Sequence, residues 1–232
     1  MLNSIKRVIY PIHPEGYPFV VIFAVVTIIL AMVNSALGMI GTVATVWCTF
    51  FFRDPSRVVP VGEGLIVSPA DGVVDKITMA KPPVELDMGD EEMMRISIFL
   101  NVFDVHVNRV PTEGVITALH YRPGKFINAT LDKASEDNER QSVRMKANYK
   151  DTEIAFVQIA GLIARRIVCN LTNNQEVKAG EKFGIIRFGS RMDVYMPKDI
   201  KPLVVEGQKA IGGETILADL ANNKEARKGE VR

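Results

Sequence analysis

The hydrophobic positions of this chain fall into two patterns that change over at residue 52. Residues 19–52 carry no Asp, Glu, Lys or Arg. As one helix they would run about 50 Å at about 1.5 Å per residue, well beyond a hydrocarbon core of about 30 Å. Asn34, Ser35 and Gly38 interrupt the run and divide it into two shorter apolar stretches, 19–33 and 37–52. A helical hairpin that dips into a bilayer or barely crosses it follows. Beyond residue 52 the apolar runs shorten, alternate with polar residues and are separated by Gly, Pro, Asn and Asp, the pattern of strands and turns. Strands are predicted at 65–67, 95–100, 114–120, 153–159 and 183–187. Residues 160–169 suit a short helix or a strand, 132–144 a loop or short helix, and 222–232 a frayed tail. Connections this short favour antiparallel pairing, so the second part reads as mainly β, with α+β the alternative.

Charge orients the first part. Lys6 and Arg7 precede the apolar run, and Arg53 and Arg57 follow it. Positive residues favour the cytoplasmic side, which predicts a domain held at the cytoplasmic face of the cell membrane. A secretory signal built from Lys6-Arg7 and residues 19–33 competes with this reading. Cleavage near Ala36 would leave 37–52 as a new apolar terminus, which argues against it. A buried pair of core helices is a further alternative, but without charges on any side neither stretch has an amphipathic surface. The expected division is 1–57 for a membrane-associated hairpin and 58–232 for a β domain.

With 232 residues and a net charge of +1, the chain has room for one ordinary domain beside the hairpin and no electrostatic reason to bind nucleic acid. Cys48 and Cys169 make neither a metal-type cluster nor a disulfide framework. That is compatible with a reduced compartment, and no metal site is expected.

Candidate chemistry centres on Gly189-Ser190, within GEKFGIIRFGSRMDVYMP. One strand-like run, 183–188, enters the pair and another, 192–196, leaves it. By itself a Gly-Ser pair is an ordinary turn. Its chemical reading is self-cleavage. A serine hydroxyl can attack the preceding carbonyl where the backbone admits the approach, and glycine tolerates the strained conformation this needs. Such a serine requires a base. Asp71 in SPADGVV and His106 in IFLNVFDVHVNRVP are candidates. Each also has a plainer reading, Asp71-Gly72 as a turn into a strand and His106 as a hydrogen-bonded residue on a strand face. His13 and His120 carry less weight.

Together, SPADGVV, IFLNVFDVHVNRVP and the Gly-Ser site resemble the phosphatidylserine decarboxylase family, over nearly all of the chain after residue 52. The resemblance implies a proenzyme that breaks its own backbone between Gly189 and Ser190 and converts Ser190 into a pyruvoyl group. That group is the covalent, self-generated cofactor, and the long and short chains stay associated. The implied substrate is a phospholipid: the serine amine of phosphatidylserine forms a Schiff base with the ketone, carbon dioxide leaves while the carbonyl holds the electrons, and phosphatidylethanolamine is released. Asp71 matches the family's aspartate and His106 one of its histidines. Longer members carry two histidines three residues apart here, and Arg109 stands where the second would fall. Either His106 serves both self-cleavage and turnover, or Asp71 acts with a water. Arg191 follows the reactive serine where many relatives have a hydroxyl residue. Its guanidinium suits a phosphate, and a solvated arginine beside a turn is the alternative. Arg109, Arg122 or Arg140 could also hold the phosphate, and Phe126 and Asn128, in YRPGKFINA, resemble a family segment near the substrate. Oligomeric state is left open, a homo-oligomer included.

Residues 177–189 and 204–218 both look like the turn-and-strand units of biotinyl and lipoyl carrier domains, which implies a barrel or sandwich of that type. They also supply a rival from another class, a membrane-anchored carrier or adaptor without enzymatic activity. A carrier presents a lysine at a hairpin tip, and Lys81 is followed by Pro82-Pro83, which is the wrong setting. An adaptor's long helices would show heptads, and none is sustained. A pyruvoyl decarboxylase acting on a soluble amino acid is the second rival. The apolar run opposes it, since a soluble substrate requires no membrane attachment.

Overall fold

The computed structural model describes residues 10–124, 138–161, 166–187 and 189–221. They form two compact units that divide between Ser56 and Arg57.

The first unit is the apolar hairpin. Helix α1 (Tyr17–Val33) and helix α2 (Ser35–Phe51) are joined by Asn34 alone. Asn34 is extended, and its side chain accepts the N–H of Ala36, a capping bond that starts α2. The helices approach closely because the seam is built of small residues: a Cβ on Gly38 would stand 2.6 Å from the Ala31 Cβ. The Thr27 and Thr45 hydroxyls hydrogen-bond across it at 2.9 Å. Within this unit Val21, Ile22, Ile28, Met32 and Met39 lie exposed. Counting its leading turn, the first helix runs 20 residues from Pro14 to Val33, long and apolar enough to cross a membrane.

The second unit is mainly β. Among the described residues its strands are β1 (Leu65–Val67), β2 (Gly72–Ala80), β3 (Met93–Leu100), β4 (Val107–Arg109), β5 (Gly114–Arg122), β6 (Arg140–Ala147), β7 (Glu153–Ala160), β8 (Arg166–Cys169), β9 (Glu176–Val177), β10 (Lys182–Arg187), β11 (Ser190–Met196), β12 (Lys209–Ala210) and β13 (Ile216–Asp219). Eight of them form one antiparallel sheet in the order β12-β2-β3-β11-β7-β6-β5-β9, curled into a half-barrel. Small sheets β4-β10-β8 and β1-β13 complete the unit.

Alternation along the strands builds the core. In β3, Ile96, Ile98 and Leu100 join the main hydrophobic cluster, while Arg95, Ser97 and Phe99 lie on the other face. Met192, Val194 and Met196 of β11 and Ile154, Phe156 and Ala160 of β7 share the inner face with them. Phe183 of β10 closes over that face, its ring edge-on to Phe156 at 5.1 Å. A smaller cluster of Leu86, Ala155, Val157, Ile159 and Tyr195 covers part of the outer face.

Three local expectations change. Residues 140–144 are strand rather than loop or helix, since β6 begins at Arg140; residues 132–137 lie outside the described part. The choice over 160–169 falls to strand at its described ends, with β7 finishing at Ala160 and β8 running Arg166–Cys169. β11 begins at Ser190, so the serine belongs to the strand, with Gly189 just before it.

Candidate active site

Ser190 opens β11 between β3 and β7, paired with Leu100 and Ala160. By alternation its side chain lies on the inner face with Met192 and Val194. The residue is fully buried, and its Oγ has no hydrogen-bond partner among the described residues. Gly189 adopts φ +70°, left-handed backbone that glycine takes without steric cost. Among the described residues, its chain neighbours aside, no atom lies within 4 Å of where its Cβ would stand.

Two groups hold the backbone of Gly189. Gly161 donates its N–H to the Gly189 carbonyl at 3.0 Å, and Gly189 donates its own N–H to His106 Nε2 at 3.4 Å. His106 is fully buried, with Nδ1 3.0 Å from the Asp104 carbonyl. A carbonyl only accepts, so Nδ1 carries the proton and Nε2 presents its lone pair towards Gly189. Asp104 holds the approach to β4 in shape, its carboxylate accepting the N–H of Asn101 at 2.9 Å.

Asp71 stands just before β2. Val73 pairs with Phe99, which pairs with Arg191, so Asp71 lies at the Ser190 end of the sheet with β3 between them. Its carboxylate forms an ion pair with Arg57 at 2.6 Å and accepts the Gly212 N–H at 2.8 Å. Burial pushes its pKa up, the Arg57 charge and the bonds from Gly212 and Arg57 pull it down, and the Asp104 charge adds to a net rise. A partly buried carboxyl so shifted is suited to accepting a proton.

The other candidates are dispersed. Arg109, buried, donates Nη1 to the Gly180 carbonyl at 2.9 Å. Arg191 is buried too, in an ion pair with Asp193 at 2.9 Å, and is not a solvated loop arginine. Arg122 and Arg140 line a cavity of about 860 Å³ with Lys76, Arg95 and Tyr195. Arg140 shares a row with Ile159 and Arg191, which puts it on the sheet face opposite Ser190. Phe126 and Asn128 lie outside the described residues. Sequence reasoning missed Gly161, whose contribution is a backbone N–H and leaves no mark in residue type. It also missed Arg57 as the partner of Asp71, having read that arginine only as a topological charge.

A buried, unengaged hydroxyl beside a glycine held at its carbonyl by a backbone N–H and at its own N–H by a buried histidine is an enzyme's arrangement rather than a carrier's exposed lysine. A profile of the phosphatidylserine decarboxylase family matches residues 44–218. The phosphatidylserine decarboxylase proenzyme of Rickettsia bellii is 61% identical over 215 residues, covering 93% of both chains. That of Paramagnetospirillum magneticum is 56% identical over 231 residues, covering 100% of this chain and 96% of its own. That of Rickettsia prowazekii is 59% identical over 213 residues, covering 92% of each. The chain belongs to the phosphatidylserine decarboxylase family. It is a decarboxylase of the proenzyme type, a lyase, and the non-enzymatic carrier or adaptor reading finds no support.

Proposed function

We propose that this chain cuts itself between Gly189 and Ser190, carries a pyruvoyl group made from Ser190, and decarboxylates phosphatidylserine to phosphatidylethanolamine at the cytoplasmic face of the membrane. The observation that carries the reading is the buried, unpartnered Ser190 Oγ next to a left-handed glycine whose carbonyl already accepts the Gly161 N–H. Ser190 Oγ attacks the Gly189 carbonyl carbon while His106 Nε2 receives its proton. The Gly161 N–H stabilises the negative charge that develops on the carbonyl oxygen. The peptide C–N bond breaks to leave an ester. Loss of the Ser190 α-proton then expels the Gly189 carboxylate, and the dehydroalanine left behind tautomerises to an imine. Water replaces the imine nitrogen, ammonia leaves, and a ketone remains.

The residues fit that group: the nucleophile is in place, and among the described residues nothing beyond its chain neighbours crowds the glycine that must deform. When formed, the ketone supplies an electron sink for loss of carbon dioxide from the substrate. Asp71 is the second proton-handling group. The hairpin, with its apolar exposed faces, holds the β domain to the lipid surface, and the flanking Lys6, Arg7, Arg53 and Arg57 favour the cytoplasmic side. The half-barrel is of the biotinyl or lipoyl kind, a reading supported by the turn-and-strand units around β9-β10 and β12-β13. The two chains stay associated because β11, in the short one, is paired along both edges.

Intact-mass measurement of purified protein tests this. Two chains are expected, the smaller starting at position 190 with a ketone in place of its amine, and Ser190→Ala is expected to remain one inactive chain. Active protein that is a single full-length chain would overturn the reading.

A further inference from the structure

We propose that Asn108 and Gln158 hold the water that converts residue 190 from imine to ketone, which makes them maturation residues of this site. The inference rests on the self-cleavage reading above and adds a role for two side chains that it leaves unused.

Their position follows from strand pairing. Gln158 lies in β7 opposite Met192, two residues from Ala160, which pairs with Ser190. Residues two apart share a face, so the Gln158 and Ser190 side chains both lie inward, as diagonal neighbours about 7–8 Å apart at the backbone. Asn108 lies in β4, two residues after His106, opposite Gly184 of β10. Gly184 is what lets the two amides meet. A Cβ there would stand 2.0 Å from the Val168 carbonyl oxygen and 3.2 Å from Gln158 Nε2.

The two side chains are fully buried. Gln158 Nε2 donates to Asn108 Oδ1 at 2.9 Å and to the Val168 carbonyl at 3.3 Å. Asn108 Nδ2 and Gln158 Oε1 have no hydrogen-bond partner among the described residues. Two facing amides can close a double hydrogen bond that uses a donor and an acceptor from each. Here one bond forms, and a donor and an acceptor are left over. Unsatisfied amide groups in a core are costly, and native folds keep them where they serve a purpose. Water matches this pair, since it accepts from one arm and donates to the other.

The chemistry calls for such a site. Attack, acyl shift, elimination and tautomerisation rearrange atoms already in the chain. Only the last step takes in another molecule: water adds across the C=N bond, its protons pass to nitrogen, ammonia leaves, and no oxidant or reductant is needed. Ser190 is fully buried, so that water has to be held inside the protein. Gln158 lies on the same inner face as Ser190, and Asn108 meets it there from β4.

Borohydride applied to the native protein distinguishes the two ends before unfolding: it reduces an imine to an alanyl end and a ketone to a lactyl end. Gln158→Met and Asn108→Leu are expected to break the chain after residue 189 but to yield mainly the alanyl end at early times. Its conversion should be slowed roughly a hundredfold, the scale that misplacing a reactant costs. Asn108→Asp keeps the shape and the acceptor that Gln158 uses, covers the case in which the apolar variants do not fold, and should show the same delay. A pair that merely ties β7 to β4 would change thermal stability without enriching the alanyl end. Lactyl ends appearing at the wild-type rate in the folded variants would overturn the inference and leave the Ser190 reading intact, and so would folded variants that never break. A wild-type chain with no reducible end at residue 190 would instead sink the Ser190 reading itself.

Discussion

The Gly161 N–H reaches the Gly189 carbonyl oxygen at 3.0 Å, so a donor from the end of β7 already faces the one oxygen that gains charge if Ser190 attacks. Donors fixed before reaction stabilise developing charge without reorganising, and losing one costs roughly 10²–10³ in rate. Gly161→Pro, which deletes this N–H, is therefore expected to slow chain cleavage by that factor. Gly161→Ala keeps the N–H and should cleave far faster than the proline variant. Cleavage of both at one rate, followed by gel densitometry, would remove Gly161 from the chemistry.

His106 contributes differently. With Nδ1 committed to the Asp104 carbonyl and Nε2 accepting the N–H of Gly189, it is the base assigned above to the Ser190 hydroxyl. Positioned general bases contribute roughly 10²–10⁴, and His106→Ala should lose cleavage on that scale while keeping its melting temperature within a few degrees. Asn at this position could still accept the Gly189 N–H but is no base, so His106→Asn should be equally slow. Rapid cleavage by either variant would transfer the role to Asp71.

Two glycines separate conformational need from space. At Gly189, with φ +70° and, among the described residues beyond its chain neighbours, nothing within 4 Å of a Cβ, alanine meets chiefly the left-handed backbone penalty of about 1–2 kcal/mol. At Gly184 a Cβ would stand 2.0 Å from the Val168 carbonyl oxygen, and β10 would have to separate from β8. Gly189→Ala is expected to fold and cleave slowly, and Gly184→Ala to lose several times more stability. Chemical denaturation of the two variants, each carrying Ser190→Ala so that both remain single chains, gives the comparison. Equal losses would contradict it.

How much of this was legible in the sequence depends on which interactions leave a mark in residue type. The hairpin and its break at Asn34 are plain, because charge is missing over a long run. The family resemblance links His106 to the Gly189-Ser190 site, and the fold adds the contact of its Nε2 with the Gly189 N–H. β6 was hidden because its outward residues Arg140 and Arg144 are charged and look like a solvated loop. In the fold they are neutralised by Glu85 and Glu153, one of them far away in sequence. Arg191, read as a phosphate ligand or a solvated arginine beside a turn, shares the outer face of β11 with Asp193 as a buried pair. Asn108 and Gln158 become a pair only once β4 and β7 are placed, and that information lies in the pairing, not in either segment.

Arg57 restrains the pKa of Asp71, with burial the larger and opposite influence. Removing the guanidinium should raise that pKa further. If maturation needs the ionised carboxylate, Arg57→Ala moves the acid limb of the cleavage pH profile to higher pH. Stability follows the same shift: a carboxyl with a raised folded-state pKa holds its proton more tightly folded than unfolded, so the fold loses stability as pH rises from the ordinary carboxylate range through the raised value. The loss should extend to higher pH in the variant than in the wild type. An unmoved acid limb would separate Asp71 from maturation.

The hairpin carries its own prediction. Val25 and Ile28 are exposed on α1, and lysine near the middle of a membrane helix costs about 2.5–3.5 kcal/mol. Full-length protein bearing Val25→Lys and Ile28→Lys should leave the lipid fraction in vesicle flotation. Unchanged flotation would place the lipid contact elsewhere.

Glu85 fixes the 3-10 turn Val84–Leu86 onto the outer face of the sheet. Its carboxylate takes Arg140 Nε and Nη2, both at 2.7 Å, and the Ser142 hydroxyl at 2.8 Å. Both side chains of the ion pair are more than nine-tenths buried. Burial alone would raise the Glu85 pKa, but the bonds from Arg140, its own backbone and Ser142 outweigh it and hold the carboxyl below its usual range. Breaking such a pair from one side leaves a buried charge uncompensated and costs about 3–5 kcal/mol, whereas replacing both partners by apolar residues is often close to neutral. Glu85→Met and Arg140→Met should therefore each destabilise strongly, and the double variant less than either. A carboxyl with a depressed folded-state pKa contributes stability that is complete above the ordinary carboxylate range and is lost as pH falls through that range towards the folded value. Urea titrations at several pH values should show this acid-side loss in the wild type and a smaller one in the double variant. A double variant as unstable as the sum of the singles would mean that the turn is held by the packing of Leu86 and not by the ion pair.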